Sequence, residues 1–171
     1  RDAPRPQLPQ GDNVGAVDDL HSSFRDAMAR VAAPVTVVTT SVDGVPTGTT
    51  VSAFASLSIT PPMVLLALDN RGGMIGRVRA SGRIGINVLA EDQADLGVRF
   101  ARTDLPDRFA GLAWRDDHGL PRLAGAVAWL RCDELTFEPG GDHTIILGTV
   151  AAAEVDGDAS LAYQMRRFQR V

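Results

Sequence analysis

A run of hydroxyl side chains within residues 44–62 is the part of this sequence best suited to binding a ligand. Alternate residues of a strand share one face, and here that face would carry Thr50, Ser52, Ser56 and Ser58. A purely structural strand would carry larger β-branched or aromatic residues on its core face. The small residues and hydroxyls favour a flat polar ligand lying against the backbone, although an ordinary half-exposed strand has the same pattern.

Two further segments bring groups that could bind or position a ligand. Asp69–Met74 follows an apolar run and precedes a short predicted helix, whose first amides could meet an anion; a plain surface turn is the alternative. Gly140–His143 combines flexible glycines with an acid and a histidine. Asp142 could fix the tautomer of His143, although on the residues alone a structural histidine is the simpler interpretation.

The elements that must position these segments are mainly strands. Periodicity predicts helices over 19–31, 75–81 and 93–101. Apolar runs bounded by turn signals predict strands over 35–42, 45–58, 63–68, 83–89 and 144–155, and one or two strands within 124–137. Residues 103–114 are predicted to form a connector, and residues 160–168 to pack against the rest at the end of the chain. Short helices between hairpin-forming strands predict a mostly β fold with peripheral helices, an antiparallel barrel. Residues 1–17 predict a disordered arm, and 18–171 a single domain.

Composition argues against several other classes of protein. The net charge of -4 does not suit nucleic-acid binding, and no run reaches the roughly 18 to 20 apolar residues of a membrane span. The sequence has no Lys, which excludes Schiff-base chemistry, and the lone Cys132 with 3 scattered histidines predicts no metal site. Glycine-rich nucleotide motifs, a nucleophile elbow and a P-loop are absent from the sequence. We expect a soluble cytoplasmic protein without a signal peptide.

The hydroxyl-rich segment resembles the flavin reductase family of two-component monooxygenases, whose recurring pattern is roughly G-x-T-A-S-S-F-x-S-V-S-x-x-P-P. The resemblance continues in the same order through residues 24–31, 81–89, 99–101, 107–111 and 141–144, and it covers about residues 24–168. Two places depart from the family's pattern. Gly72 and Gly73 stand where serines are usual, and Arg166 stands where glycine is usual.

The resemblance implies a fold and an activity. The fold would be the FMN-binding, flavin reductase-like split β-barrel. The activity would be NAD(P)H:flavin oxidoreduction, with hydride passing to FAD or FMN and NADH favoured over NADPH. Diffusible reduced flavin would serve a partner monooxygenase, and a homodimer would complete the flavin pocket. The ending Arg166–Phe168 resembles members that serve antibiotic-pathway oxygenases. A flavin-binding storage or sensor protein and a self-contained FMN enzyme stay open as alternatives.

The resemblance also implies site residues. Those assigned to the flavin are Thr47, Gly48, Thr49, Thr50, Val51, Ser52, Ala53, Ser56, Ala67, Leu68, Asp69, Asn70, Arg71, Gly73, Met74, Arg99 and Phe100. Those on the nicotinamide side are Asp142, His143, Arg166 and Phe168, and His143 would position the ring rather than transfer a proton. The sequence does not decide between FAD and FMN. Arg77, Arg79 and Arg83 could meet the 2′-phosphate of NADPH or be solvated helix arginines.

Overall fold

The computed structural model describes residues 13–171, with their side chains from residue 17 onward. The chain divides into two compact units, one up to Val31 and one from Ala32 to Val171. The described part of the first unit is helix α1, Asn13–Met28, so the boundaries predicted from the sequence, 19–31, are wrong. Leu20 and Val17 continue the apolar stripe of Phe24 and Met28 for two turns toward the N-terminus. Residues 1–12 of the predicted arm lie outside the described residues.

The second unit is mostly β. Its strands are β1 (Ala33–Pro34), β2 (Thr36–Val42), β3 (Val45–Val51), β4 (Phe54–Ile59), β5 (Pro62–Asp69), β6 (Ile84–Val88), β7 (Trp114–Asp117), β8 (Leu120–Leu123), β9 (Ala128–Gly140), β10 (His143–Val155), β11 (Leu161–Gln164) and β12 (Arg167–Arg170). Its helices are α2 (Met74–Ser81) and α3 (Ala94–Ala101). None of the helices within residues 13–171 has the length and apolar character needed to cross a membrane.

A seven-stranded antiparallel sheet in the order β3-β2-β6-β9-β10-β5-β4 forms the body of this unit. Its two edge strands, β3 and β4, are consecutive in the chain, so the two-residue link Ser52-Ala53 brings the opposite edges together. Contacts between β3 and β5 show that the sheet curls back on itself. A three-stranded sheet, β1-β11-β12, and the hairpin β7-β8 complete the strand pairing. This curled sheet with two peripheral helices is the predicted split barrel.

The prediction of one strand over 45–58 is wrong. β3 ends at Val51, and the amide of Phe54 bonds the carbonyl of Ser52 in a tight turn. The chain then pairs with β5 instead of β2, and the register shifts once more between Ser56 and Ser58. The hydroxyls of Thr50 and Ser56 therefore do not share a strand face, because alternation counts only within one uninterrupted strand.

The hairpin β7-β8 was not predicted. Its sequence carries charged residues and Pro121, which have low strand propensity, so the alternation signal is weak. The buried Arg122 stabilises it through ion pairs with Asp117, Glu154 and Asp156. The ion pairs with Glu154 and Asp156 join residues more than 30 positions apart, and a local sequence pattern does not contain them.

Two apolar clusters hold the second unit together. One fills the curled sheet around Val38, Leu66, Ile86 and Ile146. The other joins the sheet to α3 around Val37, Leu89 and Phe100. Close packing leaves no room beside the buried Trp129, since a Cβ atom at Gly85 would lie 2.0 Å from its ring. Trp114, by contrast, is partly exposed.

Candidate active site

A cavity of about 720 Å³ opens beside β3. Its first wall is residues 45–49 of β3. Its second wall is formed by Leu68 and Asp69 of β5, residues 71–73 of the β5–α2 turn (residues 70–73), and Met74 and Arg77 of α2. Its third wall comes from the end of α3 and the α3–β7 connector (residues 102–113). This volume lies within the range of roughly 300 to 1,000 Å³ that is usual for small-molecule sites.

The β3 wall offers hydroxyls and backbone. Thr47 and Thr49 line the cavity and share one parity of the strand. Gly48 lies on the other parity, where a Cβ atom would come within 3.0 Å of the Phe100 ring. Thr50 shares that parity and donates its hydroxyl to the carbonyl of Gly97 at 2.7 Å, so it fastens β3 to α3.

The β5–α2 turn is ordered by an ion pair. Arg71 donates from Nε and Nη2 to the carboxylate of Asp69, with Nη2 at 2.6 Å, and its amide bonds the same carboxylate at 2.8 Å. These hydrogen bonds hold the pKa of Asp69 well below its ordinary value. Gly73 precedes α2 without a side-chain cap, so the first amides of the helix remain available at this wall.

The connector wall is held by arginine and backbone contacts. Arg99 donates to the carbonyls of Arg108 and Ala110, the first at 2.7 Å. Asp107 accepts hydrogen bonds from the amides of Phe109 and Ala110. Phe109 then packs edge-to-face on Phe100 with ring centroids 5.0 Å apart. These contacts fix the backbone that carries Arg108 to the cavity.

The β9–β10 turn (residues 141–142) lies beside the β5–α2 turn. The carbonyl of Asp142 accepts the amide of Asn70, and the Thr144 hydroxyl donates to the Asn70 side chain at 2.6 Å. His143 pairs with Asp69 across β10 and β5. The two predicted polar segments, far apart in sequence, are therefore brought together next to the cavity.

His143 is held by its neighbour. Its Nδ1 lies 2.8 Å from an oxygen of Asp142, and the ring is 40% exposed. A carboxylate only accepts, so Nδ1 carries the proton and the neutral ring has its acceptor at Nε2. The hydrogen bond from His143 lowers the pKa of Asp142. The arrangement suits orientation of a polar group on a bound ring.

Some of the residues predicted from the sequence line the cavity and others do not. Those that line it are Thr47, Gly48, Thr49, Leu68, Asp69, Arg71, Gly73 and Met74. Asn70 lies behind them, bonded to the β9–β10 turn. Arg99 is occupied by backbone carbonyls, Phe100 is fully buried, and Val51 belongs to the sheet core. Ala67 lies in β5 next to the lining residue Leu68 but does not itself line the cavity.

Further predicted residues lie outside the cavity lining for reasons of topology. Ser52 and Ala53 form the exposed link between the sheet edges, and Ser56 follows on β4. Arg166 lies in the turn between β11 and β12, and Phe168 packs on Tyr163 and beside Gly97.

The connector contributes lining residues that sequence reasoning did not assign: Thr103, Leu105, Pro106, Asp107, Arg108 and Phe109. The resemblance at residues 107–111 was the available signal. Arg77 was considered only as one of a strip of three arginines. The structure separates that strip, because Arg79 lies over the Phe137 ring at 4.2 Å and Arg83 bonds the carbonyl of His118.

Neither a metal centre nor a reactive thiol is formed at this site. In the part of the chain that the structure describes, no three His, Cys, Asp or Glu side chains are grouped to hold a metal ion. Cys132 is buried, and desolvation raises the pKa of its thiol to about 12, so the reactive thiolate is not formed near neutral pH.

Known proteins match both the sequence and the fold. Residues 28–171 match the family described as "Flavin reductase like domain". The reductase component of 4-nitrophenol 4-monooxygenase/4-nitrocatechol 2-monooxygenase from Rhodococcus opacus is 40% identical over 147 residues, covering 86% of this chain and 79% of that protein. Actinorhodin polyketide dimerase from Streptomyces coelicolor is 42% identical over 148 residues, covering 85% and 83%.

A solved structure agrees with this match. The NADH:FAD oxidoreductase SgcE6 of Streptomyces globisporus C-1027, in complex with NAD and FAD fragments, superposes with a TM-score of 0.83 at 32% identity, covering 88% of this chain and 92% of that one. Fold and site together define a split-barrel flavin oxidoreductase. The chain belongs to the flavin reductase-like family, and the predictions of family and fold from the sequence are confirmed.

The cavity fits a phosphorylated flavin on its own geometry. A Cβ atom at Gly73 would meet nothing within 4 Å, so a ligand can approach the backbone there. The backbone amides of the first turn of α2 could donate hydrogen bonds to an anion. Arg108 lines the cavity, and its buried Nε has no hydrogen-bond partner among the described residues, so a cation with incomplete internal hydrogen bonding stands at the wall.

Proposed function

We propose that this chain is an NAD(P)H:flavin oxidoreductase that favours NADH, reduces FAD or FMN, and supplies diffusible reduced flavin to a partner monooxygenase. The observation that carries the proposal is the cavity between β3 and the β5–α2 turn, in a chain of the flavin reductase-like family. The names of its relatives, a monooxygenase reductase component and an NADH:FAD oxidoreductase, support it.

When bound, flavin would supply the redox chemistry, as the acceptor of a hydride from the dihydronicotinamide ring. The protein binds and orients the two rings, which is where proximity accelerates the reaction. Thr47 and Thr49 offer hydroxyls along β3, and Gly73 allows close approach to the backbone. Arg71, fixed on Asp69, keeps the β5–α2 turn in one conformation. No side chain needs to act as a nucleophile.

His143 is proposed as the positioning residue on the nicotinamide side. Asp142 fixes its tautomer, and the exposed edge of the ring can then accept a hydrogen bond from a carboxamide through Nε2. Arg166 and Phe168 are proposed for the same side through the resemblance of the chain ending. Ser52, Ala53 and Ser56 are proposed to contact flavin through the exposed link and β4.

We further propose a cytoplasmic homodimer in which residues 18–171 act as one domain. The partner oxygenase is proposed to act in an antibiotic pathway, which the similarity to actinorhodin polyketide dimerase supports. Sedimentation equilibrium tests the dimer. A mass of twice 18.1 kDa is expected, and a monomer at all concentrations would contradict this part of the proposal.

The rate of NADH oxidation, measured with each flavin offered separately, tests the activity. NADH oxidation should be fast only when FAD or FMN is added to purified protein, and NADPH should be the poorer donor. A purified protein that stays nearly colourless but turns over with added flavin would support the diffusible-flavin account. Tightly bound yellow chromophore without NADH oxidation would overturn it in favour of a flavin-binding protein that is not a reductase.

A further inference from the structure

Most arginines near the cavity are already engaged by the protein. Arg71 forms its ion pair with Asp69, and Arg99 is bonded to two carbonyls of the connector. Arg79 lies over the ring of Phe137, away from the cavity lining. These side chains are therefore not available, without rearrangement, to neutralise a charged ligand in the cavity.

Arg108 lines the cavity and is engaged less fully than Arg99, since one of its nitrogens donates to a carbonyl where two do in Arg99. Its Nη1 donates to the neutral carbonyl of Gly48 at 2.7 Å, and its Nε is buried without a partner in the described part of the chain. The nearby Asp104 is bound by Arg102 through both oxygens, and Asp107 caps amides of its own loop. A half-buried guanidinium in this state favours an incoming anion, since burial makes an uncompensated charge costly.

Arg77 reaches the same cavity from another element. It lies in α2, four residues after Gly73, and it lines the cavity together with Arg108. No ion pair or side-chain hydrogen bond engages it among residues 13–171. The uncapped first turn of α2 adds amide donors to this wall. Two unpaired cations and these amides thus converge on one space from different segments.

We propose that Arg77 and Arg108 form a two-arginine phosphate site in this cavity, which holds the phosphate or pyrophosphate of the flavin and selects FAD and FMN over riboflavin. The inference rests on the proposed function and deepens it. A guanidinium presents planar paired donors that match phosphate oxygens.

Equilibrium binding of three flavins tests the site without relying on turnover. Riboflavin, FMN and FAD are titrated into the full chain and into Arg77→Gln, Arg108→Gln and Arg108→Lys variants. Arg79→Gln is the matched control, because it removes the same charge from the same helix but does not line the cavity. We expect Arg77→Gln and Arg108→Gln each to weaken FMN and FAD binding about tenfold, with riboflavin unchanged.

Arg108→Lys keeps the positive charge but loses the planar, paired donors of the guanidinium. We expect it to bind FMN more tightly than Arg108→Gln and less tightly than the wild type. Equal losses for all three flavins in Arg108→Gln would overturn the proposal, because they would mean that Arg108 only supports Gly48 and the connector. Variants that weaken NADPH but not FMN or FAD would also overturn it, by assigning the site to a 2′-phosphate.

The wild-type protein separates this inference from the proposed function. If it oxidises NADH with flavin but binds riboflavin as tightly as FMN and FAD, the phosphate site is refuted and the reductase stands. If it binds no flavin and shows no flavin-dependent NADH oxidation, both fail together.

Discussion

Charged side chains around the cavity fall into two groups, those paired inside the protein and those left for a ligand. Arg71 on Asp69 and His143 on Asp142 belong to the first group, and both pairs lie at turns that meet beside β3. Arg77 and Arg108 belong to the second. Pairing holds the site in shape before any ligand arrives, which lowers the entropy lost on binding.

Replacing His143 by Gln should raise the KM for NADH by about tenfold, because one hydrogen bond to the nicotinamide is lost. Asp142→Asn keeps an acceptor for Nδ1 but removes the charge, so its effect should be smaller. Steady-state kinetics at saturating flavin measures both variants. His21→Gln, on α1, is the histidine control. An unchanged KM and kcat in His143→Gln would contradict the positioning role.

Acid should destabilise the protein through the paired carboxylates. Hydrogen bonds from Arg71 and His143 keep the pKa values of Asp69 and Asp142 below the ordinary value of 3.8. Stability from a depressed pKa is present above the unfolded-state value and is lost as pH falls toward the folded-state value. We therefore expect the free energy of unfolding to decrease between about pH 5 and about pH 3.

Urea denaturation across this range measures the effect. Asp69→Asn should flatten the decrease, since one of the linked protons is then removed, while substitution of the exposed Asp158 by Asn should not. The same pH dependence in Asp69→Asn and the wild type would show that the Asp69–Arg71 pair contributes no stability.

Among the elements, the hairpin turns show where this chain accepts backbone strain. Asp43-Gly44, His118-Gly119 and Met165-Arg166 all have positive φ at both residues, as two-residue hairpin turns of this kind require. The first two turns place Gly second, whereas the third places Arg166 there with φ 60°. This geometry gives a backbone reason for the glycine that the family usually carries at that position.

Arg166→Gly should stabilise the protein by about 1 kcal/mol, because a non-glycine residue in the left-handed region costs roughly that much. The midpoint of denaturant unfolding measures the change. Gly44→Arg is the converse control and should destabilise by a similar amount. A lower midpoint in Arg166→Gly would mean that contacts of the Arg166 side chain outweigh the strain.

The sequence predicts a helix, strand or turn well when the interactions that form it are local in the chain. Asp43-Gly44 forms the first hairpin turn, and Gly82 ends α2 in the left-handed conformation with φ 70°. Both are local signals that can be recognised in the sequence. The break at Ser52-Ala53 has no such local signal, because it depends on β5 being available as the next partner. The hairpin β7-β8 depends in the same way on long-range ion pairs of Arg122.

At the scale of the whole molecule, the site is assembled by the curling of the seven-stranded sheet. The edge strands β3 and β4 meet, and the β5–α2 turn comes to lie beside β3. The sequence alone predicted these two walls through the resemblance. It did not predict the third wall, because the position of the connector depends on long-range contacts such as the hydrogen bond from Arg108 to Gly48.

The central claim, that this cavity brings a nicotinamide and a flavin together for hydride transfer, is tested most directly by anaerobic mixing. A catalytic amount of the protein is mixed with NADH and an excess of FAD in the absence of oxygen, and the visible absorbance of oxidised flavin is followed. The account predicts rapid, complete bleaching of the free FAD pool, slowed in His143→Gln. Bleaching no faster than in the protein-free mixture would contradict it.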